Sequence, residues 1–206
     1  MPATTIHGLI QLGRDNLDRA AAVAARACVH TPHVVHFFPD AGKRAHQAFE
    51  LFRVRIGYGF RYGEAYTTSG ECRDVAVWIR SAEASMTPWR QMRVGGLRLL
   101  RHAGQDSIAR MVRLSERLDR LREERVPIPH AVLAILAVDP SVQGRGRGGR
   151  LVRPILRRLD TEGIPCYLET TEAKNLALYE HLGFGVVVTA AAPGDAFPVW
   201  GLLHRP

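Results

Sequence analysis

From Ala131 to Val138 the chain reads Ala-Val-Leu-Ala-Ile-Leu-Ala-Val, eight apolar residues without a polar interruption. A run of that length, closed by Asp139-Pro140, reads as a strand. After Gln143-Gly144-Arg145-Gly146-Arg147-Gly148, the residues Leu151, Val152, Ile155, Leu156 and Leu159 step by three and four, which predicts a helix with one apolar stripe. Pro154 lacks a backbone donor and is expected to kink it. Gly163-Ile164-Pro165 stops the helix, and Cys166 to Thr170 follows as a strand. Asn175, Leu178, Tyr179 and Leu182 share one face of a short helix ending at Gly183. Phe184 to Val188 returns as a strand, and Val199 to Leu203 forms the last one.

The preceding half is patterned more loosely. A strand is expected near Ile6 to Leu12, an alanine-rich helix up to about Cys28, and a second helix from Gly42 through Ile56 with Ala45, Ala48, Phe49 and Phe52 inward. Gly57, Gly59 and Gly63 are expected to break that helix. Glu64–Thr68 and Val75–Arg80 read as a hairpin around Ser69-Gly70-Glu71. Beyond Pro88 the chain turns helical, pauses at Ala103-Gly104 and resumes from a cap at Asp106. There Ile108, Met111, Leu114, Leu118 and Leu121 form a stripe that either packs on the chain's own sheet or seams a homodimer.

The glycine run exposes backbone N–H groups ahead of a helix N-terminus, a seat for a phosphate-bearing ligand. Three motifs compete for it. A dinucleotide fingerprint, Gly144-x-Gly146-x-x-Gly149 with Glu169 as the ribose acid, would start directly off the strand, whereas five residues intervene here. A nucleotidase phosphate loop needs Lys and then Ser or Thr after Gly149, where Arg150 and Leu151 stand. The third parse, Gln-x-x-Gly-x-Gly after Val-Asp-Pro, resembles the coenzyme A loop of the GNAT acyltransferases. Leu168-Glu169-Thr170, Asn175, Leu178-Tyr179-Glu180 and Leu182-Gly183-Phe184 strengthen that resemblance over residues 130 to 188. Pro154, Asp160 and Gly163-Ile164-Pro165 are similar to the branch containing puromycin N-acetyltransferase, as is Val75-Ala76-Val77-Trp78 followed by a long helical insert.

The resemblance implies an α/β (α+β) GNAT fold, with a mixed, mostly antiparallel twisted sheet, a splayed parallel pair and helices on both faces. It implies a single domain over residues 1–206. Residues 1–129 would form the acceptor side, with a helical insert at about 86–125, and residues 130–206 the acetyl-CoA side. Leu136, Ala137 and Val138 would offer backbone groups to the coenzyme arm, and Gln143, Gly144, Arg145, Gly146, Arg147 and Gly148 would hold its pyrophosphate. Arg147 stands where the family usually carries an aliphatic residue. Asn175 would fix the arm, Tyr179 would protonate the leaving sulfur, and Glu169 would accept the amine proton, directly or through water. His33, Phe37, Phe38, Trp78 and Thr170 are the candidates for contact with the acceptor.

Composition narrows the partners. The net charge of +8 comes almost wholly from arginine, since Lys43 and Lys174 are the lysines. Such a surface attracts an anionic cosubstrate and nucleic acid alike, but no nucleic-acid-binding motif accompanies it, and none is expected to bind. Cys28, Cys72 and Cys166 are odd in number and scattered, so reduced, buried thiols are expected. His30, His33 and His36 recur every three residues, but Pro32 interrupts a regular helix and no metal is expected there. With no apolar run of membrane length and no secretion signal, a cytoplasmic protein without a membrane partner is expected. The leading reading is an acetyl-CoA-dependent acetyltransferase of a small-molecule primary amine, by direct attack. Acetylation of protein or peptide amines is the alternative enzyme activity, and a non-catalytic coenzyme-A-binding regulatory module the alternative class.

Overall fold

The computed structural model describes residue 6 and residues 8–206. In chain order the elements are β1 Ile10–Gln11, α1 Leu17–Cys28, α2 Pro32–Phe37, α3 Ala41–Tyr62, β2 Glu64–Thr67, β3 Asp74–Arg80, α4 Ser81–Ala84, α5 Pro88–Arg93, α6 Gly96–Ala103, α7 Gln105–Arg125, β4 Ala131–Val138, α8 Arg147–Thr161, β5 Cys166–Thr170, α9 Leu176–His181, β6 Gly185–Ala191 and β7 Pro198–His204. The strands form one seven-stranded sheet in the order β1-β2-β3-β4-β5-β7-β6. Only the β4–β5 pair is parallel, and the others run antiparallel. This is the mixed sheet expected from the motifs, with helices on both faces.

Strand parity assigns the two layers. On β3, Val75, Val77 and Ile79 join one apolar cluster with α1, α2, α3, α6 and α7, while Ala76 and Trp78 join a second with α8 and α9. On β4 the parity reverses part-way: Ala131 and Leu133 face the α8 side, whereas Ile135 and Ala137 face the α3 side. The register with β3 jumps at the same place, Val77 lying opposite Ile135 and Trp78 opposite Leu133. Ala134 is therefore an extra residue, a β-bulge that locally bends the strand. It is exposed in the middle of a central strand.

Several expectations change. α3 runs on to Tyr62, through Gly57 and Gly59, because it packs directly on the sheet: a Cβ on Gly59 would lie 2.1 Å from Cγ1 of Val77. Of its expected inward residues, Ala45 is exposed. β1 is only two residues long, and His7, within the expected strand, lies outside the described residues. Pro32 starts a helix instead of interrupting one, as its missing N–H is harmless at the first helical position. α7 starts at Gln105 after Gly104, not from a cap at Asp106. α8 continues as one helix through Pro154. Leu178 is 40% exposed and does not share the buried face of Tyr179. The α7 stripe packs inward, with Met111 and Leu114 buried beside Ile108 and Leu118.

Candidate active site

β4 and β5 pair only at their starts, Ala131 with Cys166 and Val132 with Tyr167. Beyond Val132 the two strands part, although β4 runs to Val138 and β5 to Thr170. β4 stays on β3 as far as the Asp74–Val138 pair, and β5 stays on β7 as far as Thr170–Trp200. The result is a wedge-shaped gap inside the sheet, lined by strand backbone that no neighbouring strand satisfies.

The glycine loop lies at the wide end of this wedge. Gly144 and Gly146 have φ of 75° and 70°, which only glycine adopts without strain, and a Cβ on either would meet nothing within 4 Å. Gly146 is the N-cap of α8 and supplies no side-chain cap, so the first amides of that helix remain free for a ligand. Gln143 Nε2 donates to the carbonyl of Val138 (2.9 Å), folding the loop back on the strand end. Asp139 accepts from Ser141 and from the Arg26 guanidinium, which together bring its pKa down to about 2. Arg145 is exposed at the rim. Arg147 turns away from the cradle: Nη1 donates to Oδ2 of fully buried Asp74 (2.8 Å) and to Oγ1 of Thr68 (3.0 Å). Its side chain anchors the loop to β3, which accounts for an arginine where an aliphatic residue is usual. Burial alone would raise the Asp74 pKa, but the Thr68 hydroxyl and amide, Arg147 and Thr67 outweigh it and hold the carboxyl below its ordinary range.

Tyr179 projects from α9 on the α8 side of the sheet, 8% exposed, with its ring edge-on to Phe184. Burial, with the nearby Cys28 and Glu172, pushes its pKa up to about 12, so the phenol stays protonated at every physiological pH. Asn175 is the N-cap of α9, half-buried one turn earlier.

Glu169 lies on the opposite face of β5. Its Oε1 is enclosed without a hydrogen-bond partner among the described residues. Burial pushes its pKa up to about 7 against the pull of Arg122 and the Tyr167 hydroxyl. A carboxyl that ionises near neutrality with an orphaned oxygen is suited to accepting a proton. Tyr167 occupies the same face, and Gly201 on β7 makes room for it: a Cβ there would lie 2.3 Å from the Tyr167 hydroxyl oxygen. Asp119 and Arg122 of α7, an ion pair of 2.7 Å, and Arg55 of α3 bring charge to this side. Arg55 went unnoticed in the sequence, though it follows Ala48, Leu51 and Phe52 on an otherwise apolar stripe.

The acceptor candidates separate. His33 on α2 lies 3.0 Å from the hydroxyl of Thr171, just past β5, and burial with Arg55 brings its pKa down to about 3, leaving the imidazole neutral. Phe37 and Phe38 are wholly buried in the α3-side core, and Trp78 is buried on the α8 side near the paired end of the wedge. All three pack into the apolar clusters of the fold. The Thr170 hydroxyl accepts from the amide of Glu172 (3.3 Å) and keeps its O–H to donate. His30, His33 and His36 do not converge on a common point, and His36 packs on Phe197.

A family model described as Acetyltransferase (GNAT) family matches residues 71–184, more than half of the chain. The chain belongs to the GNAT family. Among relatives of this GNAT protein, mycothiol acetyltransferase of Brachybacterium faecium is 42% identical over 59 residues, 27% of this chain. The shared stretch spans 18% of that protein's length. The ribosomal protein bS18 alanine N-acetyltransferase of Salmonella typhimurium is 29% identical over 112 residues, 53% of this chain and 72% of that one. The solved structure of the histone acetyltransferase HPA2 and related acetyltransferase from Corynebacterium glutamicum superposes with a TM-score of 0.66 at 19% identity, covering 96% of this chain and 95% of that one, which establishes a shared fold. No helix among the described residues is long and apolar enough to cross a membrane.

Proposed function

We propose that this GNAT protein is an acetyl-CoA-dependent N-acetyltransferase of a small-molecule primary amine. One observation carries the reading: two neighbouring parallel strands part after two residue pairs, and a loop with Gly144 and Gly146 in the left-handed region follows the end of the first of them. Acetyl-CoA would supply the acetyl group as an activated thioester. The free amides of Gly144 to Gly148 and the α8 N-terminus would hold the pyrophosphate, with Arg145 adding charge from the rim. The unpaired backbone of Leu136, Ala137 and Val138 would run beside the pantetheine arm, which Asn175 would fix. Glu169 takes the amine proton, and Tyr179 donates its proton to the departing sulfur. Cys166 takes no part as a nucleophile, because it is fully buried and burial pushes its thiol pKa far up. The division of labour follows the chain, residues 1–129 shaping the acceptor side and 130–206 the coenzyme side of one cytoplasmic domain.

A small acceptor is favoured over a protein one because α7 packs against α2 and against the β6–β7 connection, roofing the side on which Glu169 lies. Resemblance to the puromycin N-acetyltransferase branch points the same way. Calorimetry with coenzyme A, followed by thiol release from acetyl-CoA across a panel of small amines and peptides, tests the reading. Coenzyme A binding with turnover on a small amine is expected. A protein that neither binds coenzyme A nor gains thermal stability from it refutes the assignment, and turnover on peptides alone moves the acceptor class.

A further inference from the structure

Away from the wedge, α3 and α6 bring three metal-binding side chains together. His46 and Glu50, four residues apart, lie on one face of α3, and His102 comes from the last turn of α6. One ligand atom from each lies within 4.8 Å of the others. Nε2 of His46 and Nδ1 of His102 are 3.2 Å apart, with the ring planes at 84°. Two nitrogens bound to one tetrahedral zinc at about 2.05 Å stand about 3.3 Å apart, so the imidazoles already hold that edge. Glu50 is 1% exposed, a rare place for a carboxylate without full compensation. Arg98 engages only its Oε1, at 2.8 Å from Nη2 and 2.9 Å from Nε. Among the described residues nothing donates to the other oxygen. An arginine gripping one oxygen is the outer-shell contact that orients a ligating carboxylate, and Arg98, with its side chain 50% exposed, keeps much of its charge in water. Gln47 fixes the remaining partner by donating to the carbonyl of His102 (3.0 Å).

We propose that His46, Glu50 and His102 form a binding site for a first-row divalent transition ion of the zinc type, with water completing the coordination. Two imidazoles and one carboxylate select such an ion over calcium or magnesium, which prefer all-oxygen sets. The ion would staple α6, and with it the helical layer leading into α7, to α3.

The test uses the full-length chain without an affinity tag, stripped by chelator and titrated with zinc and, separately, with cobalt. One equivalent should bind. Cobalt should give the strong visible bands of a four-coordinate site, and Tm should rise by roughly 5–10 °C at a hundredfold excess of zinc over its dissociation constant. Both histidines are exposed, so His46→Gln and His102→Gln should fold as the parent does and each should weaken binding at least tenfold. No saturable binding by the parent, or binding within twofold of the parent in either variant, overturns the proposal. In the latter case the imidazoles hold only a hydrogen bond to each other.

Discussion

Glu169 ionises near neutrality because its environment opposes charge, and that single property predicts two pH dependences. The base form appears as pH rises through about 7, so kcat/KM should climb there and level off, with no fall from Tyr179 until far more alkaline pH. Glu169→Gln should flatten the profile and lower the plateau by roughly 10²–10⁴-fold, and Tyr179→Phe should lower it as much while leaving coenzyme A affinity unchanged. Stability moves the other way. A carboxyl raised from 4.5 to about 7 in the folded state contributes fully below pH 4.5 and loses that contribution as pH rises through 7. Urea midpoints at pH 5 and pH 8 should therefore lie closer together in Glu169→Gln than in the parent. Tyr179 and Glu169 stand out as candidates in the sequence because a motif surrounds each. The role of Arg147 was not, because its partner Asp74 lies 73 residues away and only folding buries it. Asp74→Ala should cost about 3 kcal/mol in chemical denaturation, since it leaves the guanidinium without its carboxylate.

At the scale of elements, the stretch from β4 to β6 followed from local pattern: turn glycines, apolar stripes and an uninterrupted strand all agree there. The length of α3 did not follow. Gly57 and Gly59 look like breakers, yet Gly59 is the point where helix and sheet touch, and long-range packing overrides propensity. Gly59→Ala should lower Tm by roughly 2–8 °C, the cost of pushing a methyl group into Val77. The bulge at Ala134 also left no mark in the sequence, because Ala-Ile-Leu-Ala reads as apolar whichever way the residues face. At the loop, Gly146→Val places a branched side chain at φ 70°. Coenzyme A affinity should fall at least tenfold with the far-ultraviolet spectrum of the fold retained.

For the whole molecule, local pattern marks out the sheet and the helical insert above it, but not how those helices are seated. The packing of the four helices between β3 and β4, the seating of α2 at the end of β5, and the convergence of His46, Glu50 and His102 depend on contacts across the fold that no short motif encodes. The parted strands have a consequence of their own. Sheets ordinarily hide raw edges at their margins or blunt them with charge, whereas this one carries two in its interior, where a stray peptide strand could add itself. A bound pantetheine arm would act as the missing rung. Amide hydrogen exchange over residues 133–138 should slow markedly when coenzyme A is added, while exchange in β3, already laddered, should change little.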